Sequence, residues 1–189
     1  DHNYLWRYAR RLPEHGQVGI FNRSYYEEVL VARVHPEVIA NQRLPARARG
    51  PHLWQHRYED MVAFERHLVR NGIVVVKFFL HLSREEQRLR FLDRIDTPEK
   101  NWKFSSADAK ERAFWDLYAD AYEDCLQHTS TQHAPWYVVP ADNKWFTRLA
   151  VANVLYHRLK ALKLRYPEVG DEQRATLEEA RTLLMTEAG

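Results

Sequence analysis

The chain has 189 residues, enough for one domain with a real core. Hydrophobic residues make up 45%, charged residues 29%, and the net charge is only +2, so the chain is neither a disordered tail nor a polycation. No apolar run approaches the roughly 18–20 residues that cross a bilayer, and the polar opening Asp1-His2-Asn3 does not have the form of a signal peptide.

In chain order, the first expected helix runs from His2 to Arg11, stopped by Pro13 and Gly16. Val18 to Phe21 reads as a short strand, and the polar triplet Asn22-Arg23-Ser24 stands at its carboxyl end. Ligands of α/β proteins bind at such ends. Tyr25, Tyr26 and Glu27 then open a helix to about Val34. Residues 41–52 form a loop broken by Pro45, Gly50 and Pro51 and made basic by Arg43, Arg47 and Arg49.

Met61, Phe64, Leu68 and Val69 recur at helical spacing and predict an amphipathic helix from Leu53 to Arg70. Asn71-Gly72 supplies a left-handed cap. Ile73 to Leu80 is a continuous apolar run of the kind that forms a strand covered on both faces. Lys77 lies inside it and must find a partner or a polar edge. Ser83 and Glu86 read as a capping box for a helix to about Ile95. Residues 96–101 break that helix, and a longer one follows from Ala107 to Gln127, capped by Ser105 or Ser106. Trp136 to Val139 is the last expected strand. Asp142 stands ready to cap a helix from Asn143 to Lys163, and beyond Pro167 and Gly170 comes an amphipathic helix from Glu172 to Thr186, suited to packing on the surface or on a partner.

Strands separated by helices predict a parallel sheet. Three strands are few for this length, so the chain is expected to be incomplete at its amino end. Cys125 is the lone cysteine, which rules out an internal disulfide, suits a cytoplasmic protein and reads as an inert helix residue.

The residue types point to phosphate chemistry. Phosphoryl transfer needs cations around the moving group, a cradle of backbone amides and a divalent ion held by carboxylates. Arg23, at a strand end, is placed to grip phosphate oxygens, with a structural ion pair as the competing assignment. Asn22 stands where many P-loop proteins carry an aspartate for the metal, and an amide adds no charge. Glu27 is one turn further on; an acceptor-facing or metal-orienting role and a plain exposed acid both stand. Arg84, Arg88, Arg90, Arg94, Lys100 and Lys103 form a basic cluster in the helical hairpin between the last two strands. That hairpin, about residues 84–128, has the position of a lid closing over a polyanion; a solvated charged face is the competing assignment for Arg84, Arg88 and Arg90. Thr129-Ser130-Thr131 offers hydroxyls for phosphate or for a turn. Asp142 contacts a nucleotide or caps a helix. His52 and His56 have ligand spacing without a third partner, so no metal centre is expected from these residues. Neither a nucleic-acid motif nor a membrane segment is apparent.

Several blocks in order resemble the polyphosphate kinase 2 family. They are Gly19-Ile20-Phe21-Asn22-Arg23-Ser24-Tyr25-Tyr26-Glu27, Val31-Ala32-Arg33-Val34-His35, Lys77-Phe78-Phe79-Leu80-His81-Leu82-Ser83 and Lys100-Asn101-Trp102-Lys103-Phe104-Ser105. Glu111-Arg112-Ala113-Phe114-Trp115 and Val139-Pro140-Ala141-Asp142-Asn143-Lys144-Trp145 continue the series to about residue 165. The resemblance implies an α/β, P-loop kinase-like three-layer sandwich with a parallel sheet and a helical lid. Residues 1–189 would be the carboxyl-terminal part of that single domain, with the amino-terminal strands and P-loop outside this chain and a terminal helix over about 170–187.

The resemblance further implies reversible transfer of phosphate from inorganic polyphosphate to AMP or ADP. Magnesium (or manganese) would be held largely by residues outside this chain, and dimers or tetramers would form. The candidate catalytic residues are Arg23, Asn22 and Glu27. The candidates for binding polyphosphate or nucleotide are Arg33, Lys77, Arg94, Lys100, Lys103 and Asp142. A non-catalytic polyanion-binding subunit and an ATP-dependent nucleotide kinase of the same fold are the alternatives.

Overall fold

Two parallel strands, β1 (Lys77–His81) and β2 (Trp136–Pro140), form the sheet of the computed structural model, which describes residues 2–187. The register pairs Lys77 with Trp136 and His81 with Pro140. The apolar run that begins at Ile73 therefore pairs only from Lys77 onward. Opposite its first four residues the other strand has not begun, and Pro135, just before Trp136, has no amide proton to offer. The expected strand over Val18 to Phe21 is not one here. Val18 and Ile20 are 73% and 89% exposed, and no strand among the described residues pairs with them. Apolar alternation supplies a face, but a strand also needs a neighbouring backbone for its hydrogen bonds.

Helix α4 follows the sequence pattern from end to end, Leu53–Arg70. Gly72, at φ +86°, ends it: the Ile73 amide donates to the Leu68 carbonyl and the Gly72 amide to the Val69 carbonyl. This is the two-bond closure that a left-handed glycine permits. The buried face of α4 carries Tyr58, Met61 and Leu68, and also Arg57 and Glu65.

The amino-terminal helices are shorter than their patterns. Only Trp6–Ala9 is helical in α1. The expected helix from Tyr25 divides into a 3-10 turn, Tyr25–Glu28, and α2, Val31–Val34. Pro36 pushes His35 out of the helical region, to φ −117° and ψ 86°, and then opens α3 (Pro36–Ala40).

Between the strands run α5 (Arg84–Asp96), a 3-10 turn over Pro98–Lys103, α6 (Ser106–Glu111), a second 3-10 turn over Arg112–Phe114, and α7 (Trp115–Thr129). The expected single helix from Ala107 is thus interrupted. At the interruption Arg112 is tied to the Arg84 carbonyl and the Gln87 side chain, at 3.0 and 2.6 Å. The Asn101 amide closes α5 by donating to the carbonyls of Arg94 and Ile95, each at 2.8 Å. The second half of the expected lid belongs to the core. Ala121 and Cys125 of α7 pack with Tyr26, Val29, Leu30, Tyr58 and Met61. Burying each of Val29, Leu30 and Met61 contributes roughly 1.5–3 kcal/mol. Burial also pushes the Cys125 thiol up to about 12.

The described chain falls into two compact units, residues 1–148 and 149–189. The second holds most of α8 (Lys144–Ala161) and all of α9 (Asp171–Glu187), whose Leu177, Leu183, Leu184 and Met185 are exposed.

Candidate functional site

Arg23 is one of two non-glycine residues with positive φ among the described residues, at +65°. An L-residue held there costs roughly 1–2 kcal/mol. The loop lies between a weak helix and a fixed turn. Gly19 packs so closely on Pro13 that a Cβ would meet the ring at 3.0 Å. On the other side, Ser24 caps the 3-10 turn by accepting from the Tyr26 amide. Arg23 is 78% exposed at its side chain, and its Nε lies 3.7 Å from Glu27 Oε1.

Arg23, Asn22 and Glu27 line an open cleft of about 640 Å³ together with Arg7 and Arg11. Three arginines and one carboxylate thus line the same cleft, a balance of charge that attracts anions. The structure therefore brings the three candidate catalytic residues together and adds Arg7 and Arg11. The Arg7 guanidinium lies over the Tyr8 ring and donates to its hydroxyl at 2.8 Å.

Beneath the Arg23 loop lies a buried charged knot. Glu65 is fully buried, and one of its carboxylate oxygens, Oε1, accepts from the hydroxyls of both Tyr25 and Tyr26 at 2.7 Å. Its Oε2 accepts from Lys77 at 2.6 Å. Lys77 directs its other protons to the Tyr26 hydroxyl at 3.0 Å and the Thr129 carbonyl at 2.8 Å. An ammonium has three donors, so all are engaged. Burial lowers the pKa of Lys77, and the Glu65 charge opposes that shift. Burial first, then the Glu65 charge, raises both tyrosines far above the usual phenol range, so both remain donors. Sequence reasoning missed Glu65, although its position was visible: it stands four residues after Met61 and three before Leu68, within the apolar stripe of α4. Arg57, four residues before Met61, is buried likewise, bonded to Glu28 and Gln42 at 2.9 and 2.6 Å.

The remaining candidates lie elsewhere. Arg33 is bound to the Tyr58 hydroxyl at 2.9 Å and paired with Asp124, which ties α2 to α4 and α7. Asp142 follows β2, and its Oδ1 accepts from the Ser83 amide at 2.8 Å; that bond holds its carboxyl below the usual range. Arg90 donates to the carbonyls of Ala141 and Asp142 at 2.8 and 2.9 Å. The expected capping box is therefore shared out. Ser83 accepts from the Glu86 amide, but Asp142 takes the Ser83 amide, leaving Glu86 to pair with Arg90. Together these contacts fasten the start of α5 to the carboxyl ends of both strands.

At the other end of α5, Lys100 pairs with Asp93 at 2.7 Å, Arg94 lies over the Phe91 ring, and Lys103 lies over the exposed Trp102 ring at 4.9 Å. Arg88 and Arg90 pair along the helix with Glu85 and Glu86. Thr129 and Ser130 serve the fold: the Thr129 hydroxyl accepts from the Trp136 indole at 2.9 Å, and the Ser130 hydroxyl accepts from the Trp136 amide at 3.2 Å.

A divalent ion of the magnesium type takes an octahedron of oxygen ligands. The cleft offers one carboxylate, Glu27, and the amide of Asn22. Among the described residues no group of three or more His, Cys, Asp or Glu side chains could hold a metal. Those two groups alone are fewer than the ligands taken by the ion that the family resemblance implies.

Parallel strands with helices between them, and a cleft lined by arginines before the first strand, define an α/β protein with a cation-rich site. Residues 1–167 match the model of the family described as Polyphosphate kinase 2 (PPK2). The ADP-polyphosphate phosphotransferase of Rhodopseudomonas palustris is 51% identical over 98% of this chain and 64% of its own length. The AMP/ADP-polyphosphate phosphotransferase of Meiothermus ruber is 43% identical over 88% of this chain and 58% of its own length. The crystal structure of Polyphosphate Kinase 2 from Arthrobacter aurescens superposes with a TM-score of 0.82 at 39% identity, covering 94% of this chain and 60% of that one. The chain belongs to the polyphosphate kinase 2 family, and it spans about three-fifths of the length of these relatives.

Proposed function

We propose that the protein transfers phosphate between inorganic polyphosphate and AMP or ADP, reversibly, with this chain supplying the cation-rich side of a P-loop kinase-like site. The observation that carries the proposal is the cleft lined by Arg7, Arg11, Arg23 and Glu27. The named activities of the relatives support the choice of substrates. In the transfer, a phosphoanhydride bond of polyphosphate breaks as a nucleotide phosphate oxygen bonds to the moving phosphorus. Charge spreads over the oxygens in flight, and a guanidinium placed against them lowers the barrier. Arg23 has that role. Glu27 orients it from one turn away, and Asn22 donates a neutral hydrogen bond to phosphate.

Arg94, Lys100 and Lys103 line the approach of the polyphosphate chain on a lid that hinges where Asp142 holds Ser83. Lys77, with its three donors engaged internally, supports the site from beneath, and Arg33 ties α2 to α4 and α7 while part of its guanidinium stays open to a polyanion. The working protein is a cytoplasmic homo-oligomer, a dimer or tetramer.

The arginine-lined cleft would equally serve a second reading, a subunit that binds polyanions without transferring phosphate. Incubating the purified protein with magnesium, polyphosphate and either AMP or ADP separates the two. Formation of ATP from ADP, or of ADP from AMP, supports transfer, and Arg23→Ala should reduce it by at least a hundredfold. Binding of polyphosphate with no product would replace the kinase reading by the second one.

A further inference from the structure

Arg23 does too little with its own side chain to explain its conformation. It is a non-glycine residue at φ +65°, and its one ion pair is exposed and 3.7 Å long. Such a residue persists only where its surroundings over-determine the backbone. The cap on the carboxyl side is weak as well, since the Ser24 hydroxyl accepts from the Tyr26 amide at 3.4 Å.

The strong restraints come one and two residues later. Tyr25 and Tyr26 are consecutive, and both deliver their hydroxyls to the same oxygen of Glu65, each at 2.7 Å. Neighbours in a 3-10 turn project about 120° apart. Two such side chains meet on one atom only for a narrow range of backbone geometry. The rings are also wedged: Tyr25 meets Phe64 and Tyr8 edge-on at 5.7 Å, and Tyr26 meets Trp136 at 4.8 Å. Glu65 is itself immobilised by Lys77 on β1. A chain of short contacts therefore runs from the sheet, through a buried carboxylate, to the residue pair that follows Arg23.

We propose that this knot holds Arg23 in its left-handed conformation at the cleft, which makes Glu65 and Tyr25 positioning residues for phosphoryl transfer. The catalytic half of this statement rests on the reading of Arg23 given above; the conformational half does not.

The test uses Tyr25→Phe, which keeps the ring and removes one hydroxyl, beside Glu65→Gln, Arg23→Lys and the double variant Tyr25→Phe/Arg23→Lys, all in the full-length protein. Amide order parameters at Arg23 and Ser24 read the conformation. They should fall from the rigid range to below about 0.6 in Tyr25→Phe, while those of α4 stay unchanged. Unchanged values at Arg23 and Ser24 overturn the proposal, whatever the activity. Kinetics read the consequence. Tyr25→Phe should lower kcat about tenfold to a hundredfold with the nucleotide KM within about threefold, as expected of a displaced catalytic group. Glu65→Gln should act in the same direction. In the Arg23→Lys background the Tyr25→Phe loss should largely vanish; fully additive losses would show that the knot does not act through Arg23. Parental kcat in Arg23→Lys would instead remove the role of Arg23 in transfer and leave the order parameters to decide the knot.

Discussion

Replacing Lys77 with methionine removes a cation and leaves its partners in place, so the cost is set by what remains. Three acceptors lose a donor: Glu65 Oε2, the Tyr26 hydroxyl and the Thr129 carbonyl. Methionine fills most of the volume, so little of the effect comes from a cavity. The uncompensated Glu65 carboxylate, fully buried, dominates. Stripping one member from a buried ion pair costs about 3–5 kcal/mol. The two tyrosine hydroxyls still bonded to Glu65 place Lys77→Met near the lower end. For a chain of this size that is a fall in Tm of about 6–12 °C.

Urea unfolding followed by fluorescence, with the slope compared to the parent, measures it. Lys100→Met is the control, because it breaks only an exposed pair with Asp93, and its midpoint should not move. The double variant Glu65→Leu/Lys77→Met should recover part of the loss, since no unpaired charge is left inside. A Lys77→Met protein within about 1 kcal/mol of the parent would refute the argument that Glu65 depends on this cation.

His35 bonds to Glu111 and sits beside Glu37. The Glu111 hydrogen bond chiefly raises its pKa, against desolvation. The stability that the charged ring contributes is full below the unfolded value of about 6.5 and is lost as pH rises through the higher folded value. The parent minus His35→Ala difference in unfolding free energy should therefore shrink between neutral and alkaline pH; a flat difference would deny the ring its charge. Lys103→Ala should raise the KM for polyphosphate more than that for the nucleotide, and equal changes would take Lys103 off the polyphosphate path. Cys125, buried and with its thiol raised to about 12, should react with iodoacetamide at pH 8 roughly a thousandfold more slowly than a free cysteine, and at an ordinary rate in urea. Rapid labelling of the folded protein would show that α7 opens at Cys125.

The sequence by itself determined the features whose causes are local. The spacing of Met61 and Leu68 with the Asn71-Gly72 stop gave α4 and its end, Ser83 announced α5, and the apolar runs before His81 and Pro140 became the paired strands. The polar triplet around Arg23 was also legible as a break in an apolar pattern, and the structure places Asn22 and Arg23 at the cleft.

Only the tertiary structure decided the rest. Val18 to Phe21 has the composition of a strand and no neighbouring strand among the described residues, and strand hydrogen bonds lie between segments rather than within one. Lys77 was visible as an anomaly in an apolar run, but its partner Glu65 stands twelve residues away on another element. A buried charge is recognised by what it meets, and that meeting exists only after the helix and the strand have packed.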